Sequence, residues 1–110
     1  MDWHAACTED ELARAESVRL AIRPPVAVFN AGGELYAIDD TCSHAESSLA
    51  EGYVEDGTVE CILHFAQFCL KTGAALSAPA VDPVRTYPVK VEDGMVWVDL
   101  SSRRAAERSA

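Results

Sequence analysis

Two short pairs of cysteine and histidine constrain this chain more than any other feature of its sequence. Cys42 and His44 are separated by one residue, and Cys61 and His64 are separated by two. Sixteen residues lie between the pairs, which is a spacer of loop length. Thiolate sulfur and imidazole nitrogen are common metal ligands in proteins. The spacing therefore predicts a metal centre held between two loops.

Three interpretations fit these side chains. One is tetrahedral zinc with two cysteines and two histidines, and another is a [2Fe–2S] cluster with two cysteines on one iron and two histidines on the other. The third has no metal, only buried cysteines and hydrogen-bonded histidines. Zinc fingers usually pair like with like, whereas each pair here holds one Cys and one His. Because each loop must then give one ligand to each iron, the pairing favours the cluster.

The motif Cys-x-His, sixteen residues, Cys-x-x-His resembles that of the Rieske proteins. From about Ala5 to Leu100 the chain is similar to the Rieske ferredoxins of bacterial aromatic-ring-hydroxylating dioxygenases. Other residues that carry the resemblance are Ala37-Ile38, Leu49, Glu51-Gly52, Phe68, Thr72-Gly73, Pro79 and Pro83. The resemblance implies a carrier, not an enzyme. It would take single electrons from a flavin-containing ferredoxin reductase to a terminal Rieske oxygenase in aromatic hydrocarbon catabolism.

The resemblance also assigns the ligands of one [2Fe–2S] cluster. It implies that Cys42 and Cys61 bind the buried iron as thiolates, and that His44 and His64 bind the exposed iron as neutral imidazoles. Two ferric ions, two sulfides and two thiolates sum to zero charge, so reduction adds an electron to a neutral site. A potential between about −150 and +300 mV is therefore expected, above that of plant-type ferredoxins.

Several positions depart from family patterns. Respiratory members carry hydroxyls two and four residues after the last histidine, where this chain has Ala66 and Phe68. They also carry a disulfide between the loops, at the positions of Ser47 and Leu63. These missing donors predict a potential at the low end of the Rieske range. The glycines and proline that ferredoxins usually have next to the ligands are replaced by Ala45, Phe65 and Ile62.

Short alternating segments separated by turns predict an all-β antiparallel fold. Strands are expected at residues 5–8, 18–22, 26–30, 35–38, 58–61, 65–70, 85–92 and 95–100. A capped turn is expected after Thr8, and hairpin turns at Gly32-Gly33 and Asp93-Gly94. The resemblance implies a base β-sandwich or barrel with a small inserted cluster-binding subdomain. The expected organisation is one domain over residues 1–100, with the subdomain at about 41–84, and a polar tail at 101–110.

Charge and composition limit the partners. The formal net charge is −9, from 18 acidic and 9 basic residues. This charge argues against nucleic acid or an anionic membrane as partner and suits docking on basic patches. No apolar run approaches the about 20 residues of a membrane span, and no secretory leader is visible, so a cytoplasmic location is expected. Cys7 and Cys69 lie in apolar strand patterns and are expected to be buried thiols.

The cysteines and histidines also distinguish between the competing functions. The oxygenase itself needs a mononuclear iron site with two histidines and a carboxylate, and only His4 remains outside the two pairs. This excludes a free-standing oxygenase. A small subunit of a nitrite-reductase type complex shares the fold but often lacks the ligands, all of which are present here. A zinc-binding interaction module stays open as an alternative.

Docking is expected over the tip that exposes His44 and His64, because electron transfer needs a short path. The expected rim consists of Ala45, Phe65, Ala66 and the loop near Pro79, with Glu46 steering the encounter.

Overall fold

A central antiparallel sheet with both faces covered forms the middle of the structure. The computed structural model describes residues 2–20, 22, 24–41, 48–61, 66–76 and 83–101. The strands are β1 (Trp3–Thr8), β2 (Ser17–Leu20), β3 (Val26–Ala31), β4 (Glu34–Asp39), β5 (Tyr53–Glu55), β6 (Thr58–Glu60), β7 (Gln67–Cys69), β8 (Thr86–Tyr87), β9 (Val89–Glu92) and β10 (Met95–Asp99). Helix α1 is Glu9–Ala15, and a 3-10 helix covers Leu49–Glu51.

The strands form three sheets, and the strand pairs within the described residues are antiparallel. The terminal sheet has the order β1-β10-β9, the central sheet β2-β3-β4-β8, and the small sheet β5-β6-β7. This architecture confirms the prediction of an all-β antiparallel fold. No helix in the described ranges is long and apolar enough to cross a bilayer.

Strand β3 explains why the central sheet lies between two core clusters. Successive side chains of a strand point to opposite faces. Val26 and Val28 enter the cluster shared with the terminal sheet, whereas Ala27 and Phe29 enter the cluster shared with the small sheet. All four side chains have 0% relative exposure. An unbroken apolar run, without polar alternation, is what a strand covered on both faces requires.

The local turn chemistry follows the sequence closely. Thr8 caps α1: its side chain accepts from the backbone of Glu11, and the Glu11 side chain accepts from the backbone of Thr8, which is the predicted capping box. The predicted turn at Gly32-Gly33 joins β3 to β4. Asp93-Gly94 joins β9 to β10 with φ values of 53° and 76°. Left-handed backbone at both residues is typical of a type I′ hairpin.

One strand prediction was wrong in its extent. Residues 85–92 were expected to form one strand of the last hairpin, but the chain divides at Pro88. Strand β8 pairs with β4 in the central sheet, and β9 pairs with β10 in the terminal sheet. Proline has no N–H to give to a sheet, so it breaks the ladder where the chain passes from one sheet to the other.

Candidate metal centre

One of the four predicted ligands lies in the described part of the chain. Cys61 directly follows β6 and has 0% relative exposure. Its backbone N–H donates a 2.8 Å hydrogen bond to the carbonyl of Ala66. This bond joins the two ends of residues 62–65, the second ligand segment. Cys42, His44 and His64 lie outside the described residues.

The ends of residues 42–47, the first ligand segment, are also joined to each other. Thr41 and Ser48 form an antiparallel bridge across the segment. One carboxylate oxygen of Asp40 accepts hydrogen bonds from the Ser48 hydroxyl at 2.8 Å and from the Ala50 N–H at 2.9 Å. The buried side chain of Asp40 thus connects the chain that enters the first ligand segment to the residues that follow it.

Residues 77–82 are named the covering segment because the Rieske resemblance implies that the loop with Pro79 covers the metal centre. The residues that flank this segment lie in the same region. The N–H of Leu76 donates to the carbonyl of Gln67 at 2.7 Å, and the N–H of Val84 donates to the carbonyl of Gly73 at 2.8 Å. Gly73 has a φ of 77°, and a Cβ there would lie 2.0 Å from the Val84 carbonyl oxygen. Only glycine fits this close approach.

One buried cluster underlies the ends of all three segments. Residues that adjoin the segments are Leu49, Cys61, Ala66 and Val84. The small and central sheets contribute Val59, Phe68, Ala27, Phe29 and Ile38, and Leu70 joins them from the turn directly after β7. Apolar packing therefore places the ends of the two ligand segments on one rigid base, although the segments are well separated in sequence.

The donor chemistry fits a [2Fe–2S] cluster. Thiolate sulfur suits iron–sulfur clusters, and imidazole replaces it on one iron of the Rieske type. The full burial of Cys61 suits a ligand of the inner iron. Within the described ranges alone, no three His, Cys, Asp or Glu side chains meet in a group that could hold a metal ion.

Three predictions about individual residues have different outcomes. Ala66 has 0% relative exposure, so the expectation that it rims the docking tip was wrong. Cys7 is buried as predicted, whereas Cys69 is only half-buried, which corrects the prediction for that thiol. The rim residues Ala45 and Phe65, with Glu46 and Pro79, lie outside the described residues.

The two remaining thiols differ in their electrostatic environment. Burial raises the pKa of Cys7, and the nearby carboxylate of Glu11 raises it further. Hydrogen bonds from the side chain and backbone of Thr72 lower the pKa of Cys69. Cys69 is therefore the more reactive thiol of the two, because reactivity follows thiolate character and exposure. His4 is exposed, and its Nε2 lies 3.1 Å from a carboxylate oxygen of Asp2.

Sequence reasoning missed two residues at this site. Asp40 directly follows β4, two residues before Cys42, and is almost completely buried. A carboxylate that directly follows a buried apolar strand was the available signal. Leu76 precedes the covering segment and keeps 51% of its surface exposed. No pattern in the sequence distinguished it from a core leucine.

Comparisons with known proteins give consistent results. The sequence model of the Rieske [2Fe-2S] domain matches residues 2–88. The 3-phenylpropionate/cinnamic acid dioxygenase ferredoxin subunit of Escherichia coli (strain K12) is 54% identical over 96 residues, which are 86% of this chain and 91% of that protein.

Two solved structures extend the comparison to the fold. The ferredoxin of Sphingomonas yanoikuyae B1 superposes with a TM-score of 0.82 at 34% identity, over 89% of this chain and 98% of that one. A chain from the complex of reduced oxygenase and oxidized ferredoxin in carbazole 1,9a-dioxygenase gives a TM-score of 0.80 at 31% identity, over 88% and 92%.

Proposed function

The chain belongs to the Rieske [2Fe–2S] family, and from that premise we propose that it is the ferredoxin component of an aromatic-ring dioxygenase system. It carries one Rieske-type cluster and transfers electrons, and the oxygen chemistry belongs to another component. The similarity to a dioxygenase ferredoxin subunit over most of both chains supports this role. The structural likeness to a chain from a ferredoxin–oxygenase complex supports a terminal oxygenase as partner.

The ligands in this proposal are Cys42 and Cys61 on the inner iron, with His44 and His64 on the outer iron. The observation that carries the assignment is the common base of the two ligand segments. Cys61 is fully buried in the same hydrophobic core as Leu49, which lies just beyond the first ligand segment. When bound at these residues, the [2Fe–2S] cluster would supply one-electron chemistry between its ferric and mixed-valence states.

The residues around the segments hold and shield this centre. The Cys61–Ala66 hydrogen bond and the Thr41–Ser48 bridge hold the residues that flank the ligand segments, which would limit rearrangement on reduction of a bound cluster. The hydrophobic core residues beneath these segments exclude water from the cysteine side of the proposed metal centre. We place the cluster-binding subdomain at about 41–84, a range that contains the small sheet and all three segments.

A flavin-containing ferredoxin reductase is the proposed electron donor. The net charge of −9 supports brief encounters with basic patches on both partners, because such encounters are steered by opposite charge. The proposed location is the cytoplasm, since metal-ligating thiolates suit a reducing compartment.

The test is electron paramagnetic resonance of the reduced protein, with matched substitutions. The wild type should be brown and give a Rieske spectrum. His64→Ala should abolish or change that spectrum, whereas His4→Ala, at an exposed histidine, should leave it intact. Cys61→Ser and Cys69→Ser form a second matched pair with the same expectation.

Two results would refute the assignment. An unchanged spectrum in His64→Ala would remove that residue from the ligand set. A colourless wild type that binds one zinc ion would establish the interaction module instead.

A further inference from the structure

Every polar group of Asp40 forms a hydrogen bond. Beyond the Ser48 and Ala50 contacts, its other carboxylate oxygen accepts from Arg19 Nε at 3.0 Å. Its backbone carbonyl accepts from the Leu49 N–H at 2.6 Å, and its own N–H donates to the Pro25 carbonyl at 3.0 Å. The relative exposure of Asp40 is 1%. A buried carboxylate is tolerated where donors surround it in this way.

The charge compensation of Asp40 is one-sided. Ser48 and Ala50 are neutral donors, and among the described residues Arg19 is the cation that contacts this carboxylate. The Arg19 side chain keeps 57% of its surface exposed, whereas the Asp40 side chain keeps 2%. Water therefore screens the guanidinium more than the carboxylate, so within the described residues the negative member of the pair has the stronger influence on the protein interior.

This charge lies close to the proposed metal centre. Asp40 precedes Cys42 by two residues, so their Cα atoms are at most about 7 Å apart. At separations of this order in a protein, two charges still influence each other appreciably. Because reduction adds a negative charge, a fixed carboxylate nearby opposes it and a cation nearby favours it.

We propose that Arg19 and Asp40 form a positioning pair that holds the first ligand segment and sets the reduction potential of the cluster. Asp40 anchors both ends of the segment and lowers the potential, and Arg19 orients the carboxylate and partly offsets its charge. This inference rests on the proposed function, because it needs the cluster on Cys42. It adds a second cause to the low potential that the missing hydroxyls at Ala66 and Phe68 predict.

The two members of the pair give opposite expectations. Asp40→Asn removes the negative charge but retains an oxygen for Ser48 and Ala50. At a fixed electrode potential, it should increase the ratio of reduced to oxidised protein about tenfold, which is a shift of about 59 mV for one electron. Arg19→Gln removes the compensating cation and should decrease that ratio, by about threefold because the guanidinium is half exposed to water.

Each variant has a matched control. Asp99 is also buried, at 4% exposure, and accepts hydrogen bonds from the backbone of Asp2 and Ser101 in the terminal sheet. Asp99→Asn removes an equal charge away from the ligand segments. Arg14 forms an exposed ion pair with Asp10, so Arg14→Gln removes an equal cation from the helix. Neither control should move the potential comparably.

The experiment is protein-film voltammetry on all five proteins, with paramagnetic resonance to show that each holds its cluster. Opposite shifts for Asp40→Asn and Arg19→Gln, with small shifts in the controls, support the pair. Equal shifts in Asp40→Asn and Asp99→Asn, or no fall in Arg19→Gln, overturn the inference while the proposed function stands. If Asp40→Asn folds but loses the cluster, the positioning role is supported and Arg19→Gln alone decides the effect on potential. A wild type without the Rieske spectrum refutes the proposed function itself.

Discussion

Substitution of Ala66 by serine tests how hydrogen bonding at the cysteine side controls the potential. Ala66 has 0% relative exposure and accepts the backbone hydrogen bond of Cys61 at 2.8 Å. A hydroxyl added at this position lies in the buried hydrophobic core that also contains Cys61, and it cannot reach bulk water. It must therefore find a sulfur or another acceptor in the protein, or remain unpaired.

The two outcomes for the hydroxyl have different magnitudes. A hydrogen bond to a charged acceptor contributes about 1.5–3 kcal/mol. If the bond forms mainly in the reduced state, that energy corresponds to an increase in potential of about 60–130 mV for one electron. An unpaired buried hydroxyl would instead cost about 1–3 kcal/mol of folding stability and leave the potential where it was.

The measurement is voltammetry of Ala66→Ser beside the wild type, with denaturant unfolding of both. Ala37→Ser is the matched control, because Ala37 is equally buried but belongs to the cluster shared with the terminal sheet. The control should lose stability without a change in potential. In a protein with an intact cluster spectrum, a potential of Ala66→Ser that falls, or that stays level without a loss of stability, would refute the reasoning.

Three further predictions concern packing, docking and pH. Gly73→Ala should destabilise the fold by about 2–3 kcal/mol in denaturant unfolding, because it adds left-handed backbone strain and breaks the hydrogen bond to Val84. Gly33→Ala is the control: Gly33 lies in an open turn, so this variant should show only the backbone strain. Leu76→Ser should slow electron transfer to the oxygenase in stopped-flow measurements, and Val91→Ser, at an exposed apolar residue of the terminal sheet, should not; equal rates for both would place docking elsewhere. Hydrogen bonds from Asp2 and Ser101 lower the pKa of Asp99. The stability that Asp99 gives the fold is therefore present above the unfolded pKa of about 3.9 and is lost as the pH falls through the lower folded value. In a pH series of unfolding curves, Asp99→Asn should no longer show this loss at acid pH.

The sequence by itself determined the local features of this protein. The capping box of Thr8 and the hairpin at Asp93-Gly94 depend on residues within a few positions of each other, so their chemistry is readable from the chain. The proposed ligand set also comes from the sequence, because metal chemistry needs particular side chains at a particular spacing, and it stays a prediction. Gly73 was among the residues that carry the resemblance, but the reason for a glycine there, the close Val84 carbonyl, is visible only in the structure.

Only the tertiary structure decided which residues surround the candidate site. Arg19 and Asp40 are 21 positions apart, and the residues on either side of the covering segment, Leu76 and Val84, bond to β7 and to the turn after it. The same long-range packing buries Ala66, leaves Cys69 half-exposed and divides residues 85–92 between two sheets at Pro88. Periodicity predicts which face of a strand is apolar, but it does not predict what covers that face. The covering elements come from distant parts of the chain, and their arrangement is fixed only when the core packs.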